Sequence, residues 1–225
     1  MAVTTAALHG RFAKIVVYLL LALAAAGSAN AHPHVRINMK VEVLFDAAGR
    51  ITALRDTWLF DEIYTVMVTE DVARDSGGRP TADGLDKFAR LAMKNLAAFH
   101  YLTRVDSGGT ELELALPENP SARMIGNRLE ITFKLPLAEP ISASERPFAY
   151  SIYDPTYYID MVHAHGQDAI RLVGAPPDCR YELMEPHPDP SKVEEAIALD
   201  QTGATDDGLG VFFAERVVVR CDARQ

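Results

Sequence analysis

Cysteine is scarce: the 225 residues hold two, Cys179 and Cys221. No Cys-x-x-Cys spacing occurs, which speaks against thiolate zinc sites and iron–sulfur clusters. Long apolar runs are missing too. The stretch from Ile15 to Ala26 covers about 12 residues, short of the roughly 20 a membrane-crossing helix needs, and nothing later approaches it. Basic charge is in deficit, with 22 Lys and Arg against 31 Asp and Glu and a formal charge of -9. That balance argues against nucleic acid or an anionic membrane surface as a partner. There is no Gly-x-Gly-x-x-Gly, no phosphate loop and no internal repeat, so a parallel nucleotide-binding sheet is not expected. The lack of a Gly-x-Ser-x-Gly elbow and of a carboxylate pair suited to hydrolysis leaves catalysis with little direct support.

What the chain does have begins at its start. Arg11 and Lys14 precede the apolar stretch, and small residues follow, ending in Ala29-Asn30-Ala31. This is the layout of a cleavable secretory signal. Cleavage after Ala31 leaves 194 residues beginning with His32. It removes two basic residues and no acid, leaving 20 basic against 31 acidic residues, a charge of -11. The expectation is an exported periplasmic protein, with residues 1–31 as signal peptide and 32–225 as a single domain. In an oxidising compartment the cysteine pair reads as a disulfide; two thiolate metal ligands are the rival reading.

Val35, Ile37, Met39, Val41 and Val43 alternate with polar residues, the mark of a half-buried strand. Asp46-Ala47-Ala48-Gly49 makes a turn, and Ile51 to Phe60 returns antiparallel. Asp61 then caps a helix through Tyr64, Val68 and Val72 that ends at Ser76-Gly77-Gly78, and a second amphipathic helix spans about Asp83 to His100. Further strands are expected at Tyr101 to Val105, Leu112 to Leu116, Leu129 to Leu135, Phe148 to Tyr153, Ile170 to Val173, Arg180 to Leu183 and Glu215 to Cys221. Residues 185–210, rich in Pro, Asp and Gly with a helical stretch at Val193 to Leu199, read as a surface excursion. The fold class is therefore α+β: mainly antiparallel β, sandwich-like, with two amphipathic helices inserted at about 61–100 after the first hairpin.

Two histidine pairs share one spacing, His32 with His34 and His163 with His165. Residues two apart on a strand face the same way, so each pair offers two imidazoles to one ion. A free amine and an imidazole on His32 add a chelate, while Pro33, lacking an amide hydrogen, excludes the square-planar site built on deprotonated amides. Asp160, three residues before His163, is a candidate carboxylate ligand or a partner that orients a ring nitrogen. The bland reading of each pair is exposed or core-satisfied histidines; His100 and His187 stand alone and read so. Imidazole suits a divalent transition metal, nickel, cobalt, zinc or copper. Asp61, Glu62 and Tyr64, with Asp154 and Tyr157, form a possible ligand cleft; the bland alternative is core aromatics, an N-cap and a turn.

His32-Pro33-His34-Val35 after a signal peptide, Thr57-Trp58-Leu59-Phe60-Asp61-Glu62-Ile63-Tyr64 and Tyr153-Asp154-Pro155-Thr156-Tyr157-Tyr158 resemble a periplasmic domain-of-unknown-function family, family 1007. The resemblance spans the mature chain. Members are commonly described as the uncharacterised periplasmic, substrate-binding component of an ABC-type transport system. They often accompany nickel/cobalt efflux permeases of the NicO type, which implies an inner-membrane transporter as partner. Arg36 stands where the family often shows an aromatic. The leading expectation is a periplasmic metal-binding accessory of a transition-metal transport system. The alternatives are an ABC importer's receptor for an organic solute and a copper-dependent redox enzyme using the N-terminal histidine chelate.

Overall fold

In the computed structural model, residues 35–202 and 208–222 are described. The chain divides into two units, Met1–Ala31 and His32–Gln225, and every described residue belongs to the second. Its strands in chain order are β1 (Val35–Phe45), β2 (Ile51–Phe60), β3 (Thr103–Ser107), β4 (Thr110–Glu111), β5 (Glu118–Ile125), β6 (Arg128–Ile141), β7 (Phe148–Ile152), β8 (Ile159–His163), β9 (Ile170–Val173), β10 (Cys179–Met184) and β11 (Arg216–Cys221). The expected hairpin forms, with Ile37 opposite Phe60 and Met39 opposite Trp58. All five alternating apolar residues of β1 are buried, as a period of two requires.

One sheet has the order β5-β6-β2-β1-β8, with β9 also beside β1; the other runs β10-β11-β7-β3-β4. Both β8 and β9 pair with β1 in parallel, so the first sheet is mixed while the second is antiparallel. Residues from both sheets share one core: Trp58 meets Phe133 edge-on at 4.9 Å, and Phe148, Tyr150, Val217 and Val219 join the same cluster. Burying a side chain of this size contributes about 1.5–3 kcal/mol before entropy is counted.

β5 and β8 lie outside the strands expected from sequence. The β5 segment is polar and contains Pro120, which only an edge strand tolerates. The Leu112, Leu114 and Leu116 alternation is realised only in part: β4 stops at Glu111, Leu114 bridges to Leu137 of the other sheet, and Leu116 is 76% exposed. The segment crosses between sheets instead of lying in one.

Helix α1 (Glu62–Val68) begins as anticipated, with Asp61 Oδ1 accepting from the Tyr64 amide at 2.7 Å. It stops short of Val72. The Arg74 guanidinium donates to the Thr69 carbonyl at 3.0 Å and the Gly78 carbonyl at 2.9 Å, occupying an acceptor that a continuing helix would use. Helix α2 (Ala82–Leu96) buries Leu85, Ala89 and Met93 at helical spacing, then tightens into a 3-10 segment, Ala97–Leu102. In that segment His100, Tyr101 and Leu102 adopt left-handed φ values of 50°, 57° and 56°. Helix α3 (Pro190–Thr202) accounts for the surface excursion, where Ala196, Leu199 and Leu209 pack with Tyr157 and Phe213 in a small second cluster. Among the described residues no helix is long and apolar enough to cross a membrane.

Cys179 and Cys221 form a disulfide between directly paired positions of β10 and β11. The bridge closes a loop 42 residues long in sequence separation. Replacing both cysteines by serine is expected to lower unfolding free energy by about 3 kcal/mol, read as a shift in the urea midpoint at unchanged slope. A loss below about 1 kcal/mol would mean that the β10–β11 ladder holds this end of the sheet unaided.

Candidate functional site

Two regions carry the polar chemistry. The first lies where β1 begins. The Val35 amide donates to the Tyr158 carbonyl at 3.3 Å, and the Arg36 amide donates to Asp61 Oδ2 at 2.9 Å. Asp61 thus caps α1 with one oxygen and pins the start of β1 with the other. Asp154 organises the neighbouring turn, accepting from the Thr156 amide at 3.0 Å and the Ile159 amide at 3.1 Å. Tyr157, at φ 58°, stacks on Phe213 with centroids 3.9 Å apart. Gly210 closes this corner: a Cβ there would lie 1.8 Å from the Asp154 carbonyl oxygen. Burial, then the charges of Tyr158, Asp61 and Asp154, push the Tyr64 hydroxyl pKa above its ordinary value. Of the anticipated cleft residues, Asp61, Tyr64 and Asp154 therefore share one electrostatic neighbourhood, whereas Glu62 is simply exposed.

Arg36 lies beside Asp160 on the parallel neighbour β8, and Nε approaches Oδ2 at 3.6 Å. Burial raises the Asp160 pKa; Arg36 works against the rise and Glu215 adds to it. Arg36 thus supplies a cation to two acids, Asp160 and Glu215.

The second region runs inward from there. His163 occupies the inward phase of β8, opposite Met39, and its side chain is 2% exposed. Glu215 Oε2 accepts from both the His163 amide and Nδ1, each at 2.6 Å, and the Tyr150 hydroxyl lies 3.1 Å from Nε2. Burial alone would raise the Glu215 pKa. The hydrogen bonds from His163, aided by the pull of His163 and Arg36, outweigh it and hold the carboxyl below its ordinary value. An ionised carboxylate only accepts, so Nδ1 carries the proton, and in the neutral ring Nε2 is then the acceptor of the Tyr150 hydrogen. Burial, with the nearby charges of Asp56 and Glu215, puts the Tyr150 pKa well above 10.0, so the hydroxyl keeps that hydrogen.

Past Tyr150 lies Asp56, with 0% exposure and, among the described residues, no hydrogen-bond partner for either oxygen. Among the described residues the buried Trp58 indole N–H is also unpaired; its nearness works against the rise in the Asp56 pKa without a formed hydrogen bond. Desolvation dominates and lifts the Asp56 pKa to about 8. Glu215, His163 and Tyr150 thus form a hydrogen-bonded line from near the surface into the core, with a neutral carboxyl beyond its inner end.

The expected sharing of a face by His163 and His165 does not occur. β8 ends at His163, and His165 sits exposed in the following bend. Both His163 ring nitrogens are engaged, so neither has a lone pair free for a metal unless a hydrogen bond breaks. Asp160 faces the opposite way along β8 and is held by Arg36. His32 and His34 lie outside the described residues. Among the described residues, no three His, Cys, Asp or Glu side chains are grouped to hold a metal. Of the residues in the inner line, only His163 stood out in the sequence. Asp56 could have been found as a carboxylate in phase with Trp58 and Phe60 on a strand; Glu215 carries no such signal.

A mixed and an antiparallel sheet, closed over a buried Tyr–His–Glu line and flanked by two helices, define an α+β domain with an interior polar device. The chain belongs to the family described as proteins of unknown function, DUF1007, whose model matches residues 17–221. It is also similar to an uncharacterised protein of Haemophilus influenzae strain Rd, 28% identical over 177 residues, which are 77% of this chain and 84% of that one.

Proposed function

We propose that this protein is an exported metal-binding accessory of an inner-membrane transition-metal transporter, with its ion held by the residues ahead of β1. The observation that carries this reading is the His32-Pro33-His34 sequence, placed by an Ala-Asn-Ala cleavage signal at the head of the mature chain. Cleavage there gives an amine and a ring nitrogen on one residue and a second imidazole two residues on, donors that suit nickel, cobalt, zinc or copper. The start of β1 gives that segment a firm base, since Val35 and Arg36 are tied to Tyr158 and Asp61. The start of β1 itself lies beside Asp61, Asp154 and Asp160, three acids against the one cation of Arg36, a balance that favours a cation over an anion there. The buried His163 serves the interior line and stays out of the ligand set.

Binding at the N-terminal histidines requires neutral imidazoles, so affinity falls below about pH 6 and proton release accompanies uptake. Calorimetric titration of the exported protein with nickel, zinc and copper tests this. His32→Ala is expected to remove the tight site and His165→Ala to leave its stoichiometry unchanged; an unaltered isotherm in His32→Ala sinks the proposal. The partner is a nickel/cobalt-efflux-type permease, and the general role is that of a transport system's periplasmic component. A two-lobed solute receptor is the weaker alternative, because the described strands share one main core. A copper redox enzyme is weaker still, and copper-loaded protein that yields no peroxide with a reductant would discard it.

A further inference from the structure

Asp56 and Trp58 stand two residues apart on β2, so both side chains enter the core from one face of the first sheet. Among the described residues, the two Asp56 carboxyl oxygens and the Trp58 indole N–H are the buried side-chain polar atoms left without a hydrogen-bond partner. From the second sheet comes Tyr150, itself fully buried, whose hydroxyl lies 3.1 Å from His163 Nε2. Among the charges that act on that hydroxyl Asp56 comes first, ahead of Glu215. A phenol has one hydrogen to give. Tyr150 therefore stands between two acceptors, the His163 ring and the Asp56 carboxyl.

The charge on Asp56 decides between them. A protonated carboxyl is a weak acceptor, and Tyr150 stays with His163. An ionised carboxyl in the core is costly to leave unpaired, and hydrogen bonds to it are roughly twice as strong as those between neutral groups. Trp58 and Tyr150 are the donors beside it, and no lysine or arginine competes, since none is buried among the described residues. The other titratable groups at this seam are His163 on β8, Glu215 ahead of β11 and Tyr181 on β10. The ladder neighbours of Asp56, Val41 on β1 and Phe133 on β6, carry no charge.

We propose that Asp56, Trp58 and Tyr150 form a proton-operated switch that locks and releases His163. With the carboxyl protonated, Tyr150 donates to Nε2 and the ring is held between Tyr150 and Glu215. Loss of the Asp56 proton to solvent turns the Tyr150 hydrogen to the carboxylate and brings in the indole N–H as a second donor. His163 Nε2 is left with an open lone pair beside ionised Glu215, so a satisfied core side chain becomes a free base. Desolvation sets the working range, because it lifts the Asp56 pKa to about 8 and places the release in mildly alkaline surroundings. The switch uses none of the N-terminal histidines and is tested on metal-free protein.

Trp58 is the single tryptophan of the chain, so its indole N–H gives one proton–nitrogen NMR resonance. Protein labelled with nitrogen-15 is titrated from about pH 6 to about pH 9.5, a range that brackets the raised carboxyl. The indole resonance is expected to move downfield along a one-proton curve centred at about pH 8, and His163 Nε2 to move with the same midpoint toward the position of an unbonded ring nitrogen. In Asp56→Asn both of these shifts are expected to vanish, whereas a titration of the ring itself would persist and is thereby told apart. In Tyr150→Phe, shown to be folded by circular dichroism, the indole is expected to titrate still while the linked shift at His163 is lost. A static indole resonance, a midpoint unchanged in Asp56→Asn, or a Trp58 shift with no accompanying change at His163 each overturns the proposal. Collapse of signal dispersion around Trp58 above pH 8 overturns it too, since water and not Tyr150 would then receive the charge.

Discussion

Replacing Asp56 by Asn should stabilise the protein, by roughly 4 kcal/mol at pH 7 and by almost nothing near pH 4. The Asp56 carboxyl is buried without a hydrogen-bond partner among the described residues, and its pKa rises from 3.8 to about 8 on folding. Between those values the folded state keeps a proton that the unfolded chain releases. A raised pKa gives stability that is fully present below the unfolded value and is lost as pH climbs to the folded one. Wild-type stability should therefore decline from about pH 4 to about pH 8, at most about 1.4 kcal/mol per pH unit from this group, and level off above. Asn has no such proton to lose. Urea unfolding of both proteins at pH 4.5, 6 and 8 decides the matter: the gap must widen with pH, and parallel curves would show that Asp56 gains solvent or an ion in solution. A core group that costs this much is a candidate for function, since selection for stability alone would remove it. Loss of metal uptake or of transporter activity in a more stable Asp56→Asn protein would link the interior line to the proposed role.

The second large effect is expected from His163→Leu. The ring's bond to ionised Glu215 is worth about 1.5–3 kcal/mol, and its loss also leaves the buried Tyr150 hydroxyl unpaired at about 1–3 kcal/mol. The total loss is about 3–5 kcal/mol, with Leu packing returning a part. The pH signature lies on the acid side. The Glu215 pKa is depressed in the folded state, so its contribution is present above the unfolded carboxyl value and is lost as pH falls through the folded one. His163→Leu should flatten that acid limb while leaving intact the decline between about pH 4 and about pH 8 due to Asp56. Glu215→Gln should flatten it too, at a smaller cost, because the amide oxygen still accepts from the His163 backbone. Additivity of His163→Leu and Glu215→Gln would mean that the two side chains do not act together; strong non-additivity is expected of a shared hydrogen bond.

The first hairpin was legible because its apolar period survives intact from Val35 to Val43 and the Asp46 turn leaves one register open. The Asp61 cap and α2 were legible for similar local reasons, as was the fold class. β5 and β8 were not, because their sequences are polar or short and their pairing comes from strands distant in the chain. β8 also decided the fate of the histidines. Ending at His163, it turns that ring into the core and leaves His165 in solvent, whereas equal spacing in sequence suggested one shared face.

Local chemistry alone thus determined the hairpin, the cap, the cysteine pair's partnership and the composition that disfavours nucleic-acid and nucleotide roles. Tertiary structure decided what surrounds each polar side chain. Whether a carboxyl is ionised, an imidazole has a free lone pair or a void stays open depends on dielectric and on neighbours brought from far along the chain. Asp56, Glu215 and Trp58 acquire their meaning only when both sheets close over them, since desolvation is a property of the assembled core and of no short segment.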